Sequence, residues 1–344
     1  MMLHIIKDSS IRKHLVASGF TAAGIVFALL SLSTGDTHIP ISDVMHTLLR
    51  SDYVADSFVV TELRLPRVIG AILVGIGLGA AGAITQSLLS NPLASPDIIG
   101  VTAGASTAAV LALASSSSLL SVQSWVTGVP VSLAALAGGL IAGTLVLALS
   151  WRRGLAPHRV VLVGLGVNAG FGAATSWVLL HADLPGLASS LTWLTGSLNQ
   201  VRSEIFGSVA IIVTLILVVL TLLGRALALL RYDPRVAGAL GVHVSRSQLL
   251  LLIMAIGLAA VVTAVSGPVP FIAFASPQIA LVTMRTEGPP VAGGALVGAV
   301  IMLIADFAAV RMFSTPLPVG VVTSFIGIPV LVWLLLRTNR NSGS

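Results

Sequence analysis

Ten long stretches of this sequence are almost free of charged residues, and they limit what the chain can fold into. A helix that crosses a membrane needs about 20 mainly apolar residues. Only 9% of the 344 residues are charged, against about 25% in a typical soluble domain. Because so few charges cannot cover a water-facing surface, the sequence predicts an all-α, polytopic integral membrane protein with about ten transmembrane helices. The predicted spans are 14–34, 68–89, 98–118, 127–150, 159–181, 206–229, 247–265, 269–284, 291–310 and 319–337.

Two of these spans have unusual features. The first apolar run is about 20 residues long, longer than the roughly 7–15 apolar residues of a signal peptide, so we interpret it as a retained span. The eighth span is short and contains Pro270 and Pro277. Since proline removes a backbone donor, we expect this span to be broken or tilted.

The distribution of basic residues predicts the orientation, because cytoplasmic loops of membrane proteins are enriched in lysine and arginine. With a cytoplasmic N-terminus, most of the 18 basic residues face the cytoplasm. The exceptions are Arg50, Arg64, Arg67, Arg202 and Arg311. We therefore expect a multi-pass protein of the cytoplasmic (inner) membrane, in contact with membrane lipid and with both termini in the cytoplasm. The basic residues lie at span ends and form no stripe, which argues against a nucleic-acid partner.

Two polar segments are longer than a turn. The outer segment 36–67 contains ISDVMHTLL at 41–49, which predicts a short surface helix. The cytoplasmic loop 231–246 has apolar residues at helical spacing, which predicts a short amphipathic helix beneath the membrane. No low-complexity linker divides the chain, so we predict one transmembrane domain over residues 1–344.

The sequence lacks the motifs of an enzyme. A phosphate-binding P-loop needs a lysine, and the two lysines, Lys7 and Lys13, both lie in the N-terminal segment. There is no HExxH motif and no cysteine, so we expect no catalytic residue, no metal site and no cofactor. Any ATP hydrolysis is then expected in a separate partner subunit.

Asp306 is the acidic residue that lies deep in a predicted span. Two interpretations are open, because such a residue either makes a hydrogen bond between helices or at a helix end, or couples protons to transport. The second interpretation describes a secondary transporter that works alone. The outer arginines, the amphipathic inner loop and the lack of an energy source favour instead a permease that a separate subunit powers.

Several motifs, in a fixed order, resemble those of a known family. They are ELRLPRVIGAILVGIGLGAAGAITQSLLSNPLASPDIIGVTAGAS at 62–106, GSLN at 196–199, ALGVHVSRSQLL at 239–250, SGPVPFIAFASPQIAL at 266–281 and PLPVGVVTSFIGIPVLVWLLLR at 316–337. They resemble the FecCD family, the permeases of type II ABC importers for ferric siderophores, haem and cobalamin. Within that family the chain is most similar to permeases of enterobactin-type ferric-siderophore systems.

The resemblance implies the type II ABC importer permease fold, with ten spans in each subunit and a translocation path between two permease subunits. The second subunit is either the same chain or a related paralogue. The resemblance also implies two ABC ATPase subunits and a periplasmic or lipid-anchored siderophore-binding protein. We expect import of a ferric siderophore, with haem or cobalamin as the alternative cargo.

The resemblance also assigns roles to single residues. In the family, the arginines of the RLPR turn face outward and receive acidic side chains of the binding protein, and they match Arg64 and Arg67. Arg311 is the candidate for a third docking arginine, although its spacing from the neighbouring motifs differs from the family pattern. Guanidinium groups suit this role because they bind carboxylates through two parallel hydrogen bonds.

The cytoplasmic loop 231–246 matches the family's coupling helix, which contacts the ATPase. The expected contact residues are Ala237, Gly238, Leu240 and Gly241. The polar candidates for the translocation path are Gln86, Asn168 and Ser176. One departure matters, because Gln278 and Leu281 replace a histidine and an arginine of the family pattern. A gating or ligand role for that histidine therefore cannot apply here.

Overall fold

The computed structural model describes residues 2–35, 37–50, 57–115, 129–152, 154–198, 203–231 and 234–342, and these residues form helices and no strands. The α-helices are α1 (Met2–Ser33), α2 (Ile41–Arg50), α3 (Leu65–Leu89), α4 (Val101–Ser115), α5 (Val129–Ser150), α6 (Pro157–His181), α7 (Leu184–Leu194), α8 (Ser203–Leu222), α9 (Gly224–Leu229), α10 (Pro234–Ala239), α11 (Val244–Ser266), α12 (Ile272–Met284), α13 (Val291–Arg311) and α14 (Val319–Ser342). A π-helical turn, Val59–Arg64, leads into α3, and a 3₁₀ turn, Pro96–Ile99, precedes α4.

The helices confirm the all-α membrane fold. Within the described residues, 7 helices are long and apolar enough to span a membrane, and α4, α12 and α14 supply shorter apolar stretches. These helices correspond one to one to the ten predicted spans. The predicted surface helix at 41–49 is also present, as α2.

Helix α3 forms the centre of the bundle and packs against α11, α12 and α13. Glycines make the α3–α13 contact close. A β-carbon on Gly75 would lie 2.4 Å from the carbonyl oxygen of Gly298, and one on Gly79 would lie 2.1 Å from that of Gly294. Small residues at this spacing let two helix backbones approach closely. Close packing matters in a membrane because no hydrophobic force drives helices together there.

The other helices surround this centre in two groups. Helix α11 joins the centre to α5, α5 packs on α4, and α4 packs on α6 and α7. A second glycine pair brings α4 and α5 together, because a β-carbon on Gly138 would lie 2.3 Å from the carbonyl oxygen of Gly104. On the other side of the centre, α1 and α14 pack mainly against α12 and α13.

Three features differ from the sequence predictions. The predicted sixth span, 206–229, is divided, since α8 ends at Leu222 and a separate helix, α9, follows. The eighth span was expected to be broken or tilted. Its helix, α12, begins after Pro270 and is not broken at Pro277, and its tilt stays a prediction. Helix α7 was not predicted. Asp183 caps it, because the Asp183 side chain accepts a hydrogen bond from the backbone N–H of Gly186 at 3.0 Å.

Candidate functional site

Three arginines, two beside the start of α3 and one at the end of α13, line one cleft of about 430 Å³. Arg64 ends the π-helical turn, Arg67 lies in the first turn of α3, and Arg311 is the last residue of α13. Because α3 and α13 are antiparallel neighbours, the start of one helix meets the end of the other. The fold therefore brings together the three residues that the sequence proposed for docking.

Arg64 is held inside the protein. Its side chain is 9% exposed. The guanidinium donates from Nη1 to the carbonyl oxygen of Leu32 and from Nη2 to that of Thr37, both at 2.7 Å. This burial differs from the outward orientation that the resemblance implied, and the docking role of Arg64 stays a prediction. Its observed contacts fix the connection between α1 and α2 against α3.

Arg67 forms an ion pair with Asp306 of α13. Its Nε donates to Oδ1 at 3.0 Å and to Oδ2 at 2.8 Å, and its Nη2 donates to Oδ1 at 2.8 Å. The Asp306 side chain is 5% exposed and that of Arg67 22%. Asp306 therefore contacts a neighbouring helix, which confirms the first of its two interpretations. The sequence shows both charges but not their pairing, because Arg67 and Asp306 lie 239 positions apart.

Arg311 contacts the segment that follows α1, donating from Nη2 to the carbonyl oxygen of Thr34. Arg64 and Arg311 thus bind backbone oxygens of one short stretch at the end of α1, those of Leu32, Thr34 and Thr37. The described lining of the cleft contains three guanidinium groups and one carboxylate, so the cleft is positively charged. Such a cleft attracts acidic groups of a partner and raises the rate at which it associates.

Three segments that lie far apart in the sequence, at residues 196–197, 266–267 and 320, are joined by backbone hydrogen bonds. The backbone N–H of Ser197 donates to the carbonyl oxygen of Ser266 at 2.8 Å, and that of Gly320 donates to Gly196 at 3.2 Å. Gly196 and Gly267 have φ angles of +69° and +68°, which favour glycine. These contacts join the end of α7, the end of α11 and the start of α14, a junction that the sequence did not predict.

The segment proposed for coupling, 231–246, contains the short helix α10. Ala237 is fully buried, whereas Leu240 is 61% exposed. The helix ends in a Schellman motif, in which Val242 N–H donates to Ala237 O at 3.1 Å and Gly241 N–H donates to Gly238 O at 3.0 Å. Gly241 has a φ angle of +86°, the left-handed conformation that this motif requires. The structure therefore presents Gly238, Leu240 and Gly241 at the surface and hides Ala237.

Gln86, Asn168 and Ser176 do not come together. Gln86 is 2% exposed and lies between α3 and α12, where its Nε2 donates to Phe274 O at 3.0 Å and its Oε1 accepts from Gln278 Nε2 at 2.7 Å. Asn168 is half-buried and Ser176 is exposed, both on α6. Their role in a translocation path stays a prediction.

Helix α6 has an open face of small residues. A β-carbon on Gly166, Gly170 or Gly172 would meet no atom within 4 Å. On the same helix the large side chains of Leu162 and Trp177 are 67% and 62% exposed. This face can therefore accept a close approach by another helix.

One partly buried acid lies between α3 and α4. Asp97 is in the 3₁₀ turn, where it accepts hydrogen bonds from the hydroxyls of Thr102 and Ser95. Burial raises the pKa of Asp97 above its usual value, and the two hydrogen bonds lower it in part. The turn also contacts α6, so Asp97 lies where the α3–α4 connection meets α6.

The bundle of apolar helices and its charged cleft, which we call the outer cleft after its predicted orientation, define a multi-pass membrane protein. The model of the FecCD transport family matches residues 23–337. The chain is 37% identical over 320 residues to the ferric enterobactin transport system permease protein FepG of Escherichia coli (strain K12), covering 93% of this chain and 94% of the relative. It is 32% identical over 322 residues to the iron(3+)-hydroxamate import system permease protein FhuG of Bacillus subtilis (strain 168), with 92% and 94% covered.

A solved structure has the same fold. It is an inward-facing conformation of a metal-chelate type ABC transporter, with a TM-score of 0.79 and 24% identity, covering 94% of this chain and 99% of that one. The chain belongs to the FecCD transport family. It is therefore a membrane permease of an ABC transporter.

Proposed function

We propose that this permease imports a ferric siderophore across the cytoplasmic membrane, with both termini in the cytoplasm. The observation that carries the proposal is the match to the FecCD family along nearly the whole chain. The two relatives named above are transport permeases for ferric enterobactin and for iron(3+)-hydroxamate, which supports an iron chelate as cargo. We assign ATP hydrolysis to two partner ATPase subunits, because both lysines of this chain, Lys7 and Lys13, lie in its N-terminal segment and do not fit a P-loop.

The outer cleft is the proposed docking site for a siderophore-binding protein. Arg67 and Arg311 supply positive charge at its walls, and Arg64 holds the α1–α2 connection beneath them. Carboxylates of the binding protein are the complementary groups, because guanidinium–carboxylate pairs form two parallel hydrogen bonds. In this proposal the charges orient the partner and increase the association rate more than they increase affinity.

The open face of α6 is the proposed contact with a second permease subunit and one wall of the path. Its glycines permit close approach, and Asn168 and Ser176 are the polar groups on this helix that we assign to the path. Gln86 makes its contacts inside the subunit, so in this scheme it holds α12 against α3 rather than touching cargo.

The segment around α10 is the proposed contact with the ATPase. Leu240 provides an exposed apolar side chain, and Gly238 and Gly241 permit close approach. The buried Ala237 anchors α10 against the rest of the chain. Movement of the ATPase on binding ATP would then reach the spans through α10 and α11, which follow one another directly.

Uptake into vesicles tests the proposal. The permease is reconstituted in proteoliposomes with its ATPase and binding protein, and uptake of radiolabelled ferric siderophore, haem and cobalamin is compared with and without ATP. We expect ATP-dependent uptake of the ferric siderophore. Uptake of cobalamin or haem alone would contradict the assigned cargo, and uptake by the permease without the ATPase would contradict the mechanism.

A further inference from the structure

An apolar groove lies between α1 on one side and α8 and α9 on the other, and we call it the α1–α8 groove. Its volume is about 730 Å³. Ile72 and Ile76 of α3 and Ala292, Ala295 and Ala299 of α13 form its floor. The groove shares no lining residue with the outer cleft, so it is a separate site.

The groove has the length and position of one membrane leaflet. Its lining on α13 extends from Val291 to Leu303, which corresponds to about 18 Å of helix. The apolar core of a bilayer is about 30 Å thick, so one leaflet is about half of that. Val291 starts α13, and the predicted orientation places this end at the cytoplasmic face. The groove therefore crosses the cytoplasmic leaflet.

The walls of the groove suit a hydrocarbon chain. Two threonines line it, but each hydroxyl donates to a carbonyl of its own helix, Thr21 to Ala17 at 2.9 Å and Thr221 to Val218 at 2.7 Å. Those hydroxyl protons are therefore not directed toward a ligand. A polar iron chelate would need hydrogen-bonding partners that these walls do not offer, whereas an acyl chain needs none.

The cytoplasmic end of the groove is positively charged. Arg231 is the charged residue among the described residues that line it. Its Nη2 donates to the carbonyl oxygen of Pro289 at 2.8 Å, which holds the guanidinium beside the start of α13. Val291 and Ala292, in the first turn of α13, line the same end. The N-terminus of a helix carries a partial positive charge, so it adds to the charge of the arginine.

We propose that the α1–α8 groove binds an anionic phospholipid of the cytoplasmic leaflet. One acyl chain fills the groove, and the headgroup phosphate binds at Arg231. Basic pockets between membrane helices on the cytoplasmic side recognise anionic headgroups through the same combination of charge and apolar surface. The lipid would fill the space between α1 and α8. Helix α1 packs mainly against α12 and α13, whereas α8 packs mainly against α3 and α11.

Lipid retention tests this site. The protein is reconstituted in nanodiscs with equal amounts of phosphatidylglycerol and phosphatidylcholine, extracted in mild detergent and examined by native mass spectrometry. We expect the unchanged protein to retain phosphatidylglycerol preferentially. Arg231→Gln should weaken that retention about fivefold, as expected for one arginine at a membrane surface, and Arg231→Lys should largely restore it.

Two further variants distinguish the effect of the Arg231 charge from the effect of the apolar groove. Arg225 lies on α9, is exposed and does not line the groove, so Arg225→Gln is the matched control and should retain phosphatidylglycerol as the unchanged protein does. Ala292→Phe narrows the cytoplasmic end and should reduce retention of both lipids. Equal losses in Arg231→Gln and Arg225→Gln would overturn the headgroup site. Undiminished lipid in Ala292→Phe would overturn the groove as the place of the acyl chain, and this variant decides the matter if Arg231→Gln does not fold.

Discussion

The ion pair between Arg67 and Asp306 joins the two helices that pack most closely in the protein, and its removal should have a measurable cost. Losing one partner of a fully buried pair costs about 3–5 kcal/mol. Arg67 is 22% exposed, so water weakens the pair. We therefore expect a coupling energy of about 2 kcal/mol between the two residues, which lies between the values for buried and surface pairs.

A double-mutant cycle measures this coupling. Arg67→Gln, Asp306→Asn and the double variant are compared with the unchanged protein by reversible unfolding in mixed detergent–SDS micelles, monitored by tryptophan fluorescence. Each single variant should lower the free energy of unfolding, and the double variant should lower it by less than the sum. A coupling energy below about 0.5 kcal/mol would refute the structural role of the pair, because that is the range of exposed pairs.

The same variants separate stability from docking. If Arg67 receives a carboxylate of the binding protein, Asp306 competes with that carboxylate. Asp306→Asn should then increase the affinity for the binding protein about fivefold while it lowers stability. Arg67→Gln should lower both. If Arg67→Gln and Asp306→Asn both lose affinity in parallel with stability, Arg67 has no docking role and acts only in holding the helices together.

Three other sites give sharp expectations. Gly79→Ala should lower the free energy of unfolding by about 2–3 kcal/mol, because its β-carbon would lie 2.1 Å from the carbonyl oxygen of Gly294. Gly166→Ala should be tolerated in the same assay, since its β-carbon would meet no atom within 4 Å. Gly241→Ala should destabilise the end of α10 by about 1 kcal/mol and reduce ATPase stimulation in the reconstituted transporter. Gly207→Ala on α8, where a β-carbon would meet no atom within 4 Å, is the control. Because the pKa of Asp97 is raised on folding, its contribution to stability is greatest below the ordinary aspartate pKa and is lost as the pH rises through the raised value. Asp97→Asn should remove this pH-dependent loss of stability. The expectation is contradicted if the thermal midpoint of Asp97→Asn depends on pH in the same way as that of the unchanged protein.

The number of apolar spans and their helical form could be predicted because they follow from local composition. An apolar run in a membrane must satisfy its own backbone hydrogen bonds, so a run of sufficient length becomes a helix wherever it packs. The predictions failed where the outcome depends on neighbours. Pro277 does not break α12, which packs between α3 and α13, and the chain after Leu222 turns into a separate helix despite its continued apolar character.

The candidate docking site shows the same division. The sequence determined that isolated arginines lie at the outer ends of two apolar runs, because charges at these positions follow directly from the pattern of residues. Only the tertiary structure decided what they contact. The antiparallel packing of α3 and α13 brings Asp306 to Arg67, and the return of the chain after α1 directs Arg64 to the carbonyls of Leu32 and Thr37. A sequence specifies which charges exist, but the partner of each of these charges depends on contacts between residues that lie 27 to 277 positions apart.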